Sequence, residues 1–211
     1  MDTKDLTGIK IPQISPVTGA FPDIWLLQLE LLGKYQDIEG LPLWPLNLDT
    51  RDNQELMKDF LARVVEELAE SYEAYRLGNM DDAKEEMADA LHFLMEALIY
   101  TTHEDAIPAI YRCPVGVTLF GDMLSTVIHA DVVGWLWETT YHLNIARNNL
   151  RNKKWKKTQV LAQKAQFTSN MIKALQSLIS GFQLWGMGEQ DIFDIYYKKN
   201  QINHWRIKSK Y

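Results

Sequence analysis

The chain is 211 residues long and 46% hydrophobic, with 22 basic against 28 acidic residues and a formal net charge of −6. That length supports one sizeable core, or one domain with a large insertion. The acidic balance excludes a general nucleic-acid coat, which needs a basic surface, but leaves open a small anionic substrate whose repulsion metal ions screen.

Cys113 is the only cysteine, so neither an intrachain disulfide nor a cysteine-rich zinc site can form, as expected for a reducing compartment. The stretch MDTKDLTGIK lacks a signal-peptide core, and no apolar run approaches the ~18 residues of a membrane span. The expected location is the cytoplasm, with no membrane and no nucleic-acid partner.

In chain order, residues 1–22 carry Pro12, Pro16, Gly19 and Pro22 and are expected as an extended arm. A first helix is predicted over about 23–33, with Trp25, Leu26, Leu29 and Leu32 at helical spacing. Pro42 and Pro45 make 40–52 a loop. The next helix is predicted over about 53–77, N-capped by Asp52 and stopped by Gly78. Its apolar stripe is Leu61, Val64, Val65, Leu68, Tyr72 and Tyr75. After the turn Gly78, Asn79, Met80, a further helix should cover about 81–102, and helices joined so tightly must pack side by side. Pro108, Pro114 and Gly116 mark a loop. Helical patterns follow over about 122–152 and 157–184, then Gly186 and Gly188, then a last amphipathic helix over about 190–207. No strand pattern or long-period repeat competes, so the expected fold is an all-α helical bundle in a single domain over 1–211.

The informative residues are the runs EELAE at 66–70 and EEMAD at 85–89. Glu67 and Glu70 are three apart and leave the same side of one helix; Glu86 and Asp89 repeat that spacing on the next. Antiparallel pairing across the short turn can bring all four carboxylates together. Unpaired, they would raise one another's pKa, and a divalent cation relieves that repulsion. Oxygen-only ligation suits Mg²⁺ or Mn²⁺ rather than zinc. The plain alternative, a solvated acidic face, fits the first run taken alone. It fits the second badly. From Met87 to Tyr100 the helix is apolar on nearly every side, interrupted by Asp89, His92 and Glu96. A buried, unpaired carboxylate costs several kcal/mol, so Asp89 needs a partner, and a metal shared with Glu86 is the simplest. A di-iron site would need two Glu-x-x-His-type motifs. Asp89-x-x-His92 is half of one, but Glu138 to His142 has the wrong spacing for the other. His92 is therefore expected as a hydrogen-bonded core histidine.

On the last helix Tyr196, Lys199, Asn203 and Arg206 fall on one narrow stripe with Asn200 beside it, while Ile192, Ile195 and Ile202 supply a core face. Cationic and amide donors in a row are what a polyphosphate requires. A solvated amphipathic helix with a positive end is the plain alternative for that segment by itself.

Taken together, these residues resemble a known family. Glu67-x-x-Glu70 and Glu86-x-x-Asp89, followed by His92-Phe93, resemble the metal-binding signature of the all-α NTP pyrophosphatases. That superfamily includes the MazG-type enzymes, the dimeric dUTPases and the dCTP/dUTP pyrophosphatases of T-even phages. The segment IFDIYYKKNQINHWR with Tyr211 resembles the closing motif of the phage enzymes and dimeric dUTPases, in Tyr196, Tyr197, Lys199, Asn200, Asn203 and Arg206. The likeness is best over 188–211, good over 53–100 and loose over the first helix.

The resemblance implies hydrolysis of a pyrimidine deoxynucleoside triphosphate, dUTP or dCTP, to the monophosphate and pyrophosphate. It implies that Glu67, Glu70, Glu86 and Asp89 hold Mg²⁺ or Mn²⁺, with Glu66 assisting, and that Glu67 or Glu70 takes the proton of the attacking water. Lys199, Asn200, Asn203 and Arg206, with Tyr196 of the same motif, would then contact the substrate. Gln28 and Leu31 fit a base-reading Gln-x-x-Leu-Asn pattern in which Leu32 stands where Asn is expected. The ending Arg206-Ile207-Lys208-Ser209-Lys210-Tyr211 likewise departs from Arg-Gln-x-x-Gly-Tyr. Both departures touch base choice. They leave open the same chemistry on a purine or modified nucleotide, and a catalytically silent helical interaction module is the further alternative. Residues 103–187 carry no motif that is recognised as the family's. Their helices resemble in kind the insertions of dimeric dUTPases, which implies a homodimer; if the chain is phage-encoded, the cytoplasm is the host's.

Overall fold

The computed structural model describes residues 20–101, 129 and 131–209. Among them are six helices and no strand: α1 (Ala20–Glu39), α2 (Arg51–Arg76), α3 (Met80–Thr101), α4 (Val132–Asn149), α5 (Lys164–Leu184) and α6 (Glu189–Ser209). The predicted all-α bundle is what forms. The arm over 1–19, the loop with Pro108, Pro114 and Gly116, residues 122–128, Cys113 and Tyr211 lie outside the described residues.

Two antiparallel hairpins, α2 with α3 and α4 with α5, make the body, and α1 lies along α6 with both against α3. The central element is α3. Every residue from Met87 to Tyr100 is buried except Asp89 and Phe93, which are partly so. A helix apolar on all sides is a helix covered on all sides. Functional side chains on α3 are thereby carried into the interior.

The helix ends differ from expectation in instructive ways. α1 runs past 23–33 in both directions. Ala20, Phe21 and Pro22 form its first turn, where a proline's missing N–H costs nothing. It also crosses Gly33 and ends before Gly40, whose φ of +64° suits a glycine stop. The propensity penalty of one mid-helix glycine is small beside the burial of Leu31 and Leu32. α2 is capped by Thr50 rather than Asp52: the Thr50 hydroxyl accepts the Asn53 N–H at 3.4 Å. Gly78, at φ +78°, ends the helix region as expected.

The largest correction lies between α4 and α5. Helices expected to reach residue 152 and to begin at 157 stop at Asn149 and begin at Lys164. Side chains from elsewhere claim the backbone between them. The Arg51 guanidinium donates to the carbonyls of Lys153 and Lys156 at 3.1 and 2.7 Å. Gln54, fully buried, donates to the Val160 carbonyl at 2.9 Å and accepts the Asn152 N–H at 2.9 Å. A helix would need those same groups for itself. No described helix is long and apolar enough to cross a membrane.

Candidate functional site

The register of α2 against α3 fixes the carboxylates. The Ser71 hydroxyl donates to the Ala83 carbonyl at 2.9 Å, and the Arg63 guanidinium stands 5.5 Å over the Phe93 ring. Between those contacts Glu67 and Glu70 face Glu86, and one oxygen from each lies within 4.8 Å of the others. Glu67 and Glu86 are half-buried, whereas Glu70 is exposed. Burial, then the charges of Asp89, Glu70 and Glu86, push the Glu67 carboxyl up to about 8. Burial also raises Glu86, against the pull of Lys199. Three hard oxygen donors that repel one another at this range are a set that a Mg²⁺ or Mn²⁺ ion fits.

Asp89, the fourth predicted ligand, has a different neighbour. Its Oδ2 meets the Lys199 Nζ at 2.7 Å. The partly buried Asp89 is thus paired with a lysine on α6, a partner the sequence did not point to. Lys199 is only 8% exposed and also lies 3.8 Å from Glu85, which pairs with Lys198 at 2.5 Å. Burial works against the Lys199 charge, but Asp89, Glu86 and Glu85 outweigh it and raise its pKa.

From the carboxylates a cleft of about 540 Å³ opens between α1, α2, α3 and α6. Glu67 and Asp89 line it, as do three of the predicted substrate contacts, Gln28, Asn203 and Arg206. Gln28 is 2% exposed, and the Tyr196 hydroxyl donates to its Oε1 at 2.6 Å. That bond fixes the amide and leaves its two N–H donors. Arg206 donates to the Asn203 Oδ1 at 3.0 Å. Tyr196 and Asn200 are fully buried behind the wall. The Tyr196 ring stacks on His92, with centroids 3.8 Å apart and planes 4° from parallel, and Asn200 donates to the Leu27 carbonyl at 3.3 Å. The single stripe on α6 therefore divides: Asn203 and Arg206 face the cleft, Lys199 faces the acids, and Tyr196 and Asn200 bind α6 to its neighbours.

His92 is the core histidine expected. Burial pushes its pKa down to about 4, so the ring is neutral, with Nδ1–H donating to the Ala88 carbonyl at 2.9 Å. Its Nε2 has no partner among the described residues. Sequence reasoning missed Tyr35, Phe60, Arg63 and Phe93 as cleft residues, and Glu96 as anything beyond an interruption. Arg63 and Phe60 lie four and seven residues before Glu67 on one face of α2, and that spacing was a usable signal. Tyr35 lay beyond the glycine at which α1 was expected to end.

Compared with known protein families, residues 46–211 match the family described as dUTPase. The match takes in α2 to α6, including the stretch 103–187 in which no family motif was legible from the sequence, and leaves out α1. No curated protein and no solved structure matches the chain.

Proposed function

Because the chain belongs to this dUTPase family, and so to the all-α nucleotide pyrophosphatases, we propose that it hydrolyses dUTP, dCTP or both to the monophosphate and pyrophosphate, with Mg²⁺ or Mn²⁺. The observation that carries the reading is the convergence of Glu67, Glu70 and Glu86 beside a cleft whose walls bear Gln28, Asn203 and Arg206. A divalent cation held by those three carboxylates, with Asp89 next to them, would neutralise the triphosphate and acidify the attacking water.

The remaining work falls to side chains. Glu67 takes the water's proton at its carboxylate, because it lines the cleft whereas Glu70 stands exposed at the edge of the cluster. Arg206, steadied by Asn203, donates charge-assisted bonds to phosphate oxygens, and Lys199 adds its charge at the acidic end. Gln28 offers its N–H groups to the nucleoside. Tyr196 and Asn200 position α6 and α1 around the ligand rather than touching it. The reading also includes a homodimer formed through the outer face of α4, where Val133, Trp137 and Tyr141 stand four residues apart and exposed.

The test is pyrophosphate release from dUTP, dCTP, dTTP and dATP, with Mg²⁺ and with EDTA. Release from dUTP or dCTP that stops in EDTA is the expected result. Preference for dATP would move the reading to a purine enzyme, and undiminished turnover in EDTA would remove the metal from it.

A further inference from the structure

A further acid lines the same cleft, and the reaction above has no use for it. Glu96 is 8% exposed and sits on the cleft wall. It follows Asp89 by seven residues, two turns along one face of α3, or ~10 Å along the axis. That separation is comparable to the reach from the middle phosphate of a nucleoside triphosphate to its base. The cleft that Glu96 lines also has apolar and aromatic walls, with Leu31 and Tyr35 from α1 and Leu56 and Phe60 from α2, besides the charged Glu39 and Asp59, and Tyr35 lies near enough to feel the Glu96 charge. Among the described residues no hydrogen bond or ion pair meets its carboxyl. Arg63, the cation that acts on it, is turned over the Phe93 ring. A carboxyl buried without a partner is a cost to the fold unless something from outside satisfies it.

We propose that Glu96 is the base-reading, specificity-determining residue of this cleft, its carboxyl hydrogen-bonding the N3/C4 edge of a pyrimidine. The inference rests on the nucleotide reading given above. Burial, against the pull of Arg63, pushes Glu96 up to about 7, which keeps much of it as the neutral acid near neutral pH. The neighbouring groups leave it that form. Tyr35, Tyr100 and Tyr196 are all raised, chiefly by burial, and stay protonated; Arg206 is engaged with Asn203. A neutral carboxyl carries one O–H donor and one C=O acceptor side by side. Uracil offers N3–H and O4; cytosine offers N3 and the N4 amino group. Each is one donor next to one acceptor in opposite order, and the acid meets either by placing its proton on one oxygen or the other. An ionised carboxylate, an acceptor only, would satisfy half of either edge. Gln28, with its amide fixed by Tyr196, adds donors from the facing wall.

The experiment compares kcat/KM for dUTP, dCTP and the deoxynucleoside triphosphate of pyrimidin-2-one, which lacks the C4 group, in wild type, Glu96→Gln and Glu96→Leu. A site that hydrogen-bonds its substrate rejects an analogue lacking the bond far better than one relying on shape. Wild type should favour its preferred pyrimidine over the pyrimidinone by roughly tenfold or more. Glu96→Leu should lose about ten- to a hundredfold on dUTP and dCTP and clearly less on the pyrimidinone, so the ratio falls toward one. Glu96→Gln, which keeps one donor and one acceptor, should retain most of the preference. Glu96→Met takes the place of the leucine variant if that one does not fold. An equal loss on all three substrates, or an unchanged ratio in the apolar variant, overturns the proposal alone. A wild-type protein that hydrolyses none of the three overturns the nucleotide reading and this inference with it.

Discussion

The two hairpins of the bundle have the same build and treat their polar residues in opposite ways. In the middle of α4–α5 the polar side chains that reach across the pair find partners there, while at its end the buried Asn149 Nδ2 has none among the described residues. The Trp135 indole N–H donates to the Ser177 carbonyl at 2.9 Å, the Thr139 and Ser177 hydroxyls bond at 2.7 Å, and His142 bridges Glu138 at 3.0 Å and Asn170 at 3.2 Å. Packing there is close enough that a Cβ on Gly181 would stand 2.2 Å from the Trp135 ring. In α2–α3, Glu67, Glu70 and Glu86 meet chiefly one another, and among the described residues Glu96 meets no hydrogen-bond partner and His92 Nε2 is left unpaired. Polar groups that satisfy each other hold a fold together. Groups left in want beside a cleft describe what must come from outside.

The sharpest way to break that contrast is Glu86→Gln. If the cluster serves chemistry, the variant should lose at least about a thousandfold in kcat/KM, roughly 4 kcal/mol of transition-state stabilisation. At pH 8, where Glu67 too is substantially ionised, the metal-free protein should nevertheless melt higher than wild type, because one of three mutually repelling carboxyls has become neutral. Differential scanning calorimetry without metal and a turnover assay with it read both quantities. A variant that melts lower would make Glu86 a structural group like Ser177.

The outer faces sharpen the contrast further. α4 turns Trp137 outward at 71% exposure with Val133 and Tyr141 one turn to either side. An apolar stripe on a helix surface suits another protein surface, not a phosphate. Trp137→Glu should therefore convert a dimer to a monomer in light scattering, since a central tryptophan contributes about 2 kcal/mol or more, roughly thirtyfold in affinity. Wild type that is already monomeric at micromolar concentration would remove the interface.

Much of the contrast was legible before the structure, and the remainder was hidden for physical reasons. Helix identity follows from apolar spacing, which is local, and the three-residue spacing of Glu67, Glu70, Glu86 and Asp89 is local too. The convergence of Glu67, Glu70 and Glu86 needed only the short turn at Gly78. The partner of Asp89 was hidden, because Lys199 arrives from α6 and no spacing reports a contact made at such distance along the chain. The division of the α6 stripe was hidden for a related reason. A helical wheel shows which residues share a face, but α1 and α3 cover different parts of that face and leave only Asn203 and Arg206 open. The break before α5 was invisible because Arg51 and Gln54 compete for its backbone from far upstream.

The gentlest probe of the comparison is pH, and its sign can be worked out. Glu67, with an ordinary value of 4.5, is pushed up to about 8 in the folded chain, by burial first and then by Asp89, Glu70 and Glu86. Between those values the folded protein binds a proton that the unfolded chain has released, so metal-free stability falls as pH rises. Glu96, raised to about 7 by burial, and Glu86, raised as well, act in the same direction. His92 opposes them lower down. Its folded value of about 4 lies below its ordinary 6.5, so it favours folding with rising pH across that interval and contributes nothing above it. The clean window is therefore pH 6.5 to 8. Because Glu67 is only half-buried, solvent screening trims its effect to about 1 kcal/mol, or ~2–4 °C in Tm for a chain of this size. The metal-free Tm should fall by that much across the window, and Glu67→Gln should flatten most of the slope. Mg²⁺ should raise Tm more at pH 8 than at pH 6.5, since a cation binds the ionised cluster and competes with its protons. A metal-free Tm that stays level or climbs from pH 6.5 to 8 would mean that the carboxylates of α2–α3 are as well satisfied as the polar residues of α4–α5.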